Sequence, residues 1–198
     1  MNKIAVLDLE TCDLESTCVV LSLALLFVNI DDIKYSIEDM YNDTFFIKFD
    51  ASEQVKTYGR TTNKDTLSWW STQAKAVRQK SLIPSNSDVS LEDGLKACLY
   101  FAKRFSAKDT IPVFTRSPIS QVALTSICKA VGMDSIFPFY NFRDVKTFLE
   151  CMNTNAKKGY CAIDKNLFPD YNRNDLVSHD PQSDCVADAA MLITSINS

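Results

Sequence analysis

Several classes of protein are excluded by what this sequence lacks. It contains one histidine, His179, and its seven cysteines include no C-x-x-C pair, so a structural zinc site is not expected. Its longest apolar stretch, residues 19–30, falls short of the roughly 20 residues that a membrane-spanning helix needs. Since it also has no secretory signal at its N-terminus, we expect a cytoplasmic protein with reduced thiols and no membrane contact.

Positive charge is not in excess either. The chain carries 21 lysines and arginines against 25 aspartates and glutamates, which gives a formal net charge of −4. A protein with this balance has no global basic surface with which to wrap a nucleic-acid duplex. Any contact with nucleic acid is therefore expected to be local, as in the capture of a strand end, or bridged by a metal ion.

Length and hydrophobic content predict one domain over residues 1–198. A chain of 198 residues with 46% hydrophobic residues is long enough for one core and short for two. Stretches rich in β-branched and aromatic residues predict several early strands, and because no helical spacers separate them we expect an antiparallel meander. These strands are predicted at residues 4–7, 17–28 and 44–49, with another around 33–37.

The remainder of the chain alternates between helical and extended patterns. This alternation predicts an α/β fold, with a mixed sheet flanked by helices. Helices are predicted from Asp65 or Thr66, over 91–105, over 120–131 ending at Gly132, from Arg143, and over 183–196. Short strands are predicted at 111–115 and 136–142, and irregular segments at 50–63, 84–90 and 153–174.

The first strand delivers two carboxylates to its end. The apolar run 4–7 is followed by Asp8 and Glu10, and because side chains alternate along a strand these two point to the same side. Paired carboxylates of this kind suit Mg²⁺ or Mn²⁺, which prefer oxygen ligands. An isolated Asp-x-Glu is also typical of an acidic strand end that leads into a turn, so the rest of the chain has to decide between the two interpretations.

The closing stretch supplies further acids. It reads His179-Asp-Pro-Gln-Ser-Asp-Cys-Val-Ala-Asp188-Ala-Ala, and together with Asp8-x-Glu10 it resembles the DEDD 3′–5′ exonucleases of the ribonuclease-H-like fold. Within that family it most resembles the bacteriophage exonuclease A-type members of the histidine-bearing subgroup. Further landmarks similar to that family keep their order along the chain: Thr66-Leu-Ser-Trp-Trp, Phe142-Arg-Asp-Val-Lys-Thr-Phe and Val177-Ser-His-Asp.

The resemblance implies a metal-dependent hydrolase. In the family, four carboxylates hold two divalent cations, and a histidine five residues before the last aspartate activates the attacking water. Carried over to this chain, it implies that Asp8 bridges both metals while Glu10 and Asp188 complete the tighter metal site. The implied substrate is the 3′ end of single-stranded DNA or RNA, and the implied cofactor is Mg²⁺ or Mn²⁺. A member of bacteriophage origin would act in the host cytoplasm.

Two positions depart from the family pattern. The register that matches Leu124 places Ser120 at the second aspartate, and with Asp188 as the last aspartate the histidine position falls on Ser183. A serine hydroxyl is a poor replacement for a carboxylate, and it cannot accept a proton near neutral pH as imidazole can. We therefore expect a weakened site that holds one metal ion in place of two, unless His179 or Asp184 substitutes for the missing groups.

Three functional hypotheses follow. The first is a 3′–5′ exonuclease with Arg116, Thr11 and Trp70 as candidate substrate-binding residues, the tryptophan by stacking on a base. The second is a weak or inactive relative that binds nucleic-acid ends or a protein partner, which the two serines favour. The third is an unrelated α/β domain whose acids serve only as helix caps and turn residues. Nothing in the sequence indicates an oligomeric state.

Overall fold

A five-stranded mixed sheet forms the centre of the structure, a computed structural model that describes residues 3–31, 35–106, 111–153 and 155–197. The strands are β1 (Lys3–Thr11), β2 (Val20–Asn29), β3 (Phe45–Lys48), β4 (Val113–Thr115) and β5 (Phe142–Asp144), and their order across the sheet is β3-β2-β1-β4-β5. Because β1 is antiparallel to β2 and parallel to β4, the early meander and the later α/β units share one central strand.

Helices flank this sheet. They are α1 (Ile37–Asp43), α2 (Ala51–Tyr58), α3 (Lys64–Ser71), α4 (Lys75–Lys80), α5 (Leu91–Ser106), α6 (Pro118–Ala130), α7 (Val145–Met152) and α8 (Pro181–Ile196), with a short 3-10 helix at Phe139–Asn141. The helices that matter for the site begin at clear caps: the side chains of Ser117, Asp144 and Asp180 accept backbone N–H groups of α6, α7 and α8. Across the part of the chain that the structure describes, no helix has the length and apolar character that crossing a membrane requires.

Alternation along β1 divides the core into two layers. On one face of the strand, Ala5, Leu7 and Leu9 belong to a buried cluster with side chains of α5 and α6. On the other face, Ile4 and Val6 belong to a second cluster that contains side chains of α7 and α8. The period of two that a strand imposes is therefore what separates the two layers. Helix α8 supplies much of the second layer, through Val186, Ala189, Ala190 and Ile193 among others.

The irregular segment predicted at 50–63 is wrong in its first part, because residues 51–58 form α2. The side chain of Asp50 caps this helix by accepting the N–H of Glu53, and Gly59 ends it with a left-handed φ of 62°. The helix lacks an apolar stripe. Its buried residue is Gln54, whose amide exchanges hydrogen bonds with the backbone of Val20. Periodicity could not reveal a helix that is held by capping and by a polar side chain.

Two predicted strands also differ from the structure. Most of 136–142 is not a strand: Pro138 cannot donate to a ladder, a 3-10 turn follows it, and β5 begins only at Phe142. The strand predicted around 33–37 lies partly outside the described residues, and Ile37 begins α1 after its cap Ser36.

The expectation that no helix separates the early strands is also wrong, because α1 lies between β2 and β3. The remaining predicted elements agree with the structure, apart from shifts at their ends. Helix α3 begins one or two residues earlier than predicted because Asn63 is its cap, accepting the N–H groups of Asp65 and Thr66. Helix α8 begins at Pro181, two residues before the predicted start. Residues 153–174 are irregular in their described part, apart from a single bridge between Lys157 and Tyr160.

Candidate active site

The second face of β1 changes character along the strand. Ile4 and Val6 are buried among apolar side chains, and Asp8 and Glu10 continue the same face toward the carboxyl end of the strand. There they line a cavity of about 850 Å³. Other acidic, basic and aromatic side chains of its wall include Arg116, Tyr160, His179, Asp184 and Asp188. The carboxylates predicted at the end of the first strand thus line this cavity.

One cluster in this wall has the geometry of a metal site. A carboxylate oxygen of Glu10, a ring nitrogen of His179 and a carboxylate oxygen of Asp184 lie within 4.8 Å of one another. Glu10 is buried, whereas the other two are half-buried and face the cavity. Carboxylate oxygens are the ligands that Mg²⁺ and Mn²⁺ prefer, and imidazole is a common additional ligand or base beside such ions. The chemistry of the donor atoms therefore fits a divalent cation.

The first turns of α8 bring the acids of the helix to one side. Asp180, Asp184 and Asp188 are spaced by four residues, which places them one above the other on a single helix face. Asp180 has a structural task, because it caps the helix through the N–H groups of Gln182 and Ser183 and pairs with Lys80 Nζ at 2.6 Å. The next acid along the face, Asp184, is the one that reaches the cluster with Glu10.

His179 is held by the turn that precedes α8. Its backbone is left-handed with a φ of 64°, a conformation that residues with a side chain adopt rarely, and its N–H donates to Asp184 Oδ2 at 2.9 Å. Its ring contacts Trp69 edge to face, with 4.8 Å between the ring centroids. The turn therefore fixes the imidazole beside the same carboxylate that completes the cluster.

Burial and mutual repulsion perturb the acids of the cavity. Burial raises the pKa of Asp8 well above its usual range, and the neighbouring charges of Asp184 and Asp188 raise it further. Burial and Asp8 raise the pKa of Glu10 in the same way. The pKa of Asp184 rises from 3.8 to about 7, mainly by burial. Burial alone lowers the pKa of His179, which favours the neutral imidazole. A cation would relieve this crowding of carboxylates.

Asp188, the acid predicted to join Asp8 and Glu10 on one cation, has a different partner. Its Oδ1 accepts hydrogen bonds from Arg116 Nε at 2.8 Å and from Arg116 Nη2, in an ion pair that is largely buried. It lines the cavity, but the ligand atoms that converge are those of Glu10, His179 and Asp184. The convergence predicted for Asp188 is thus found one helical turn earlier.

The two serines predicted to replace catalytic residues lie outside this wall. Ser183 is 2% exposed in the first turn of α8, where its N–H is directed to Asp180 Oδ1, and it is not among the described residues that line the cavity. The structure thus does not bring Ser183 to the cavity, and it favours His179 for the histidine position. The sequence held the signal, since His179 precedes Asp184 by the five residues that the resemblance requires, but Asp188 had been taken as the last aspartate.

Ser120 is the third residue of α6. It is 1% exposed, its N–H donates to Ser117 O at 3.1 Å, and it too is absent from the described residues that line the cavity. The position assigned to the family's second aspartate is thus close to β4 in sequence but carries a buried, neutral side chain. Arg116, which lies between β4 and α6, does reach the cavity.

The predicted stacking of Trp70 on a base is wrong, because its ring is completely buried and its Nε1–H donates to Thr11 O at 3.0 Å. Thr11 itself is occupied by a turn, since its hydroxyl donates to Asp13 O at 2.7 Å. The exposed aromatic residues near the site are Trp69, 40% exposed, and Tyr160, 54% exposed. Tyr160 was missed because it lies in an irregular segment without periodicity.

Comparisons with known proteins are consistent with this geometry. Residues 3–187 match the family model described as the 3′–5′ exoribonuclease Rv2179c-like domain. Among solved structures, the chain is similar to the nuclease domain of 3′hExo, described as a DEDDh family member bound to rAMP, with a TM-score of 0.59 and 12% sequence identity over 99% of this chain and 92% of that one. At this identity the likeness concerns the fold, and it confirms the predicted ribonuclease-H-like α/β architecture. No curated protein sequence matches the chain, and the likeness to bacteriophage exonuclease A-type members stays a prediction.

Proposed function

Since the chain belongs to the Rv2179c-like 3′–5′ exoribonuclease domain family, we propose that it removes nucleotides one at a time from the 3′ end of single-stranded RNA. The observation that carries this proposal is the cluster of Glu10, His179 and Asp184 in the wall of a cavity that Asp8 also lines. RNA is preferred over DNA in the proposal because of the family's description and because the similar nuclease domain was solved with rAMP.

The roles of the residues follow from their chemistry. Asp8, Glu10 and Asp184 would hold Mg²⁺ or Mn²⁺ through carboxylate oxygens. A bound divalent cation would polarise the scissile phosphate and lower the pKa of water beside it. His179 accepts the proton of the attacking water, because burial lowers its pKa and leaves the imidazole neutral. The water oxygen bonds to phosphorus as the P–O3′ bond breaks, so the terminal nucleotide leaves with a 5′-phosphate.

The surroundings of the cluster suit a terminal nucleotide. The cavity of about 850 Å³ lies within the range of roughly 300–1,000 Å³ that small-molecule sites occupy. Tyr160 offers an exposed aromatic face in its wall, and the exposed cations Lys165 and Arg173 also line it. Stacking on an aromatic ring with phosphate contacts from nearby cations binds single strands without a basic global charge. This local arrangement is compatible with the net charge of −4.

The test is a degradation assay on 5′-labelled single-stranded RNA with Mn²⁺. We expect a ladder that shortens from the 3′ end, faster than for DNA of the same sequence, and no degradation when the 3′ end is blocked. Asp184→Asn should abolish the ladder. Asp43→Asn, at the exposed end of α1, should leave it unchanged.

Three outcomes would contradict the proposal. Internal cleavage of the blocked RNA would indicate an endonuclease. Equal activity of the Asp184→Asn protein would place the chemistry elsewhere. Tight binding of the RNA 3′ end without any release of nucleotides would indicate an inactive relative that binds ends, the role that the serine at position 120 favours.

A further inference from the structure

Arg116 is a fixed cation among the carboxylates of the cavity. The residue follows β4, and β4 runs parallel to β1 with Val6 opposite Phe114. Continued by two residues, this register brings Arg116 beside Asp8. Two other cations line the cavity, Lys165 and Arg173, but both are exposed, whereas Arg116 is half-buried. A half-buried cation beside Asp8 of β1 calls for an explanation beyond general attraction of nucleic acid.

Three different groups immobilise this guanidinium. Its Nε and Nη2 both donate to Asp188 Oδ1, and its Nη1 donates to Gly159 O at 2.7 Å. Its central carbon lies 4.1 Å from the centroid of the Tyr160 ring. An arginine suits these contacts because its planar fork can satisfy two acceptors and stack on a ring at once, which an ammonium group cannot do.

The carboxylates on this side of the cavity are not free to hold a second metal ion. The position at which the family resemblance requires an aspartate is Ser120, which is neutral and buried. The acid that remains in the described part of the cavity wall, Asp188, already neutralises Arg116. A second divalent ion at Asp188 would meet the guanidinium at short range and would have to displace two charge-assisted hydrogen bonds.

We propose that Arg116, positioned by Asp188, supplies the positive charge that a second metal ion supplies in a two-metal exonuclease, so that this protein works with one divalent cation. This inference rests on the proposed nuclease function. When water attacks phosphorus and gives its proton to His179, the electron pair of the breaking P–O3′ bond passes to the 3′-oxygen, which takes a proton from solvent. Arg116 donates N–H groups to the phosphate oxygens while this charge develops.

Calorimetric titration of the metal-free protein with Mn²⁺ tests the metal count without measuring activity. We expect one ion per chain in the unchanged protein and also one in Asp188→Asn, because that carboxylate is not a ligand. Asp184→Asn should weaken binding by at least about tenfold. Two ions in the unchanged protein, with one lost in Asp188→Asn, would overturn the proposal.

Chemical rescue tests the role of the guanidinium itself. Arg116→Ala should lower kcat by about 10²–10³-fold with a smaller change in KM, because the lost hydrogen bonds act mainly on the transition state. Millimolar guanidinium chloride should restore part of the rate, whereas the same concentration of NaCl or additional Mn²⁺ should not. A folded Arg116→Ala protein that guanidinium does not rescue, or that gains activity from a second Mn²⁺, would contradict the proposal.

Asp188→Asn provides the matched control. An asparagine oxygen can still accept hydrogen bonds from Arg116, so we expect a smaller loss of kcat than for Arg116→Ala; an equal or larger loss would make Asp188 itself the essential group. These experiments test the role of Arg116 and the nuclease function separately. An active protein that binds two ions would overturn the role of Arg116 and leave the nuclease assignment intact, whereas a protein without activity on RNA at any Mn²⁺ concentration would overturn the nuclease assignment.

Discussion

The contact between β1 and α8 has an apolar region and an acidic region. The two regions differ in their effect on the stability of the folded protein. In the apolar region, Ile4 and Val6 of β1 share a buried cluster with α8. In the acidic region, Asp8 and Glu10 face a cavity that Asp184 also lines. The same two elements thus carry stability in one region and charge repulsion in the other. The proposed function belongs to the acidic region, where burial of the carboxylates opposes folding.

The largest expected effect lies in the acidic region. His179→Asn should lower the exonuclease rate by about 10²–10⁴-fold, the usual effect of losing a general base. Asparagine is chosen because it tolerates the left-handed backbone at this position. Single-turnover release of mononucleotides from RNA measures the rate.

The matched control is Ser183→Ala, which removes a buried hydroxyl outside the cavity wall and should change the rate by less than about threefold. If Ser183→Ala lowered the rate of folded protein more than His179→Asn, the result would support the predicted register, in which Asp188 is the last aspartate and Ser183 occupies the histidine position.

Shortening a side chain in the apolar region should lower the stability of the protein and leave its rate nearly unchanged. Ile193→Ala removes a side chain that is 1% exposed in the cluster with β1, and we expect a loss of about 2–5 kcal/mol in the free energy of unfolding. For a chain of this size that corresponds to a fall in Tm of roughly 2–4 °C per kcal/mol. Denaturant and thermal melts measure the loss. The rate per folded molecule should stay within about threefold, and a rate that falls in proportion to stability would show that the two regions are not separable.

The acidic region should become more stable when charge is removed. The pKa of Asp184 is about 7 in the folded protein and near 3.8 in the unfolded chain, so the folded state binds more protons between these values. Stability conferred by this group is therefore greatest at low pH, falls as pH rises through that window, and is fully lost above about pH 7. Asp184→Asn should stabilise the metal-free protein at pH 8 by about 1–3 kcal/mol, allowing for solvent screening of a half-buried group.

The same substitution should have a smaller effect on stability at pH 5, because the penalty accumulates as pH rises from 3.8 to about 7 and only part of it is present there. Melting curves at both pH values without metal measure the difference. An equal effect at the two pH values, or destabilisation at pH 8, would show that the pKa of Asp184 is not raised in the folded protein. The hydrogen bond from the N–H of His179 is retained in this variant, since an asparagine oxygen can accept it.

The smallest expected effect concerns the start of α8, where Asp180 both caps the helix and pairs with Lys80. Asp180→Ala removes both contributions and should cost about 1–2 kcal/mol, whereas Asp180→Asn keeps the cap and should cost about half as much. Urea denaturation of the two variants measures the difference. Equal losses would mean that the ion pair with Lys80, and not the cap, accounts for the stabilisation.

The fold was predictable from sequence where one face of a strand or helix is buried, because the apolar residues then recur with the period of that element. The alternation along β1 and the apolar face of α8 gave both elements and the position of the two carboxylates, Asp8 and Glu10. Helix α2 was not predictable by this route, because capping by Asp50 and a buried Gln54 hold it in place of an apolar stripe. Hydrophobic periodicity indicates which apolar side chains are buried, and it does not indicate buried polar side chains such as Gln54.

The acids of α8 cannot be sorted by their own spacing, although the five-residue distance from His179 favours Asp184. Asp180, Asp184 and Asp188 occupy one helix face, so a spacing argument accepts any of them as the partner of Glu10. Their partners distinguish them: a lysine and the helix end for the first, the cluster with His179 for the second, and Arg116 for the third. These partners come from distant parts of the chain, which is the information that a local pattern does not contain.

The central claim is that Asp184, one helical turn before Asp188, completes the metal site with the carboxylates of β1. Anomalous diffraction at the manganese edge, from crystals grown with Mn²⁺, tests it most directly. We predict a peak about 2.0–2.6 Å from carboxylate oxygens of Glu10 and Asp184, the range for hard cations bound by oxygen, with Arg116 still paired to Asp188. A peak bound by Asp188 with Arg116 displaced, and none at Asp184, would contradict the account.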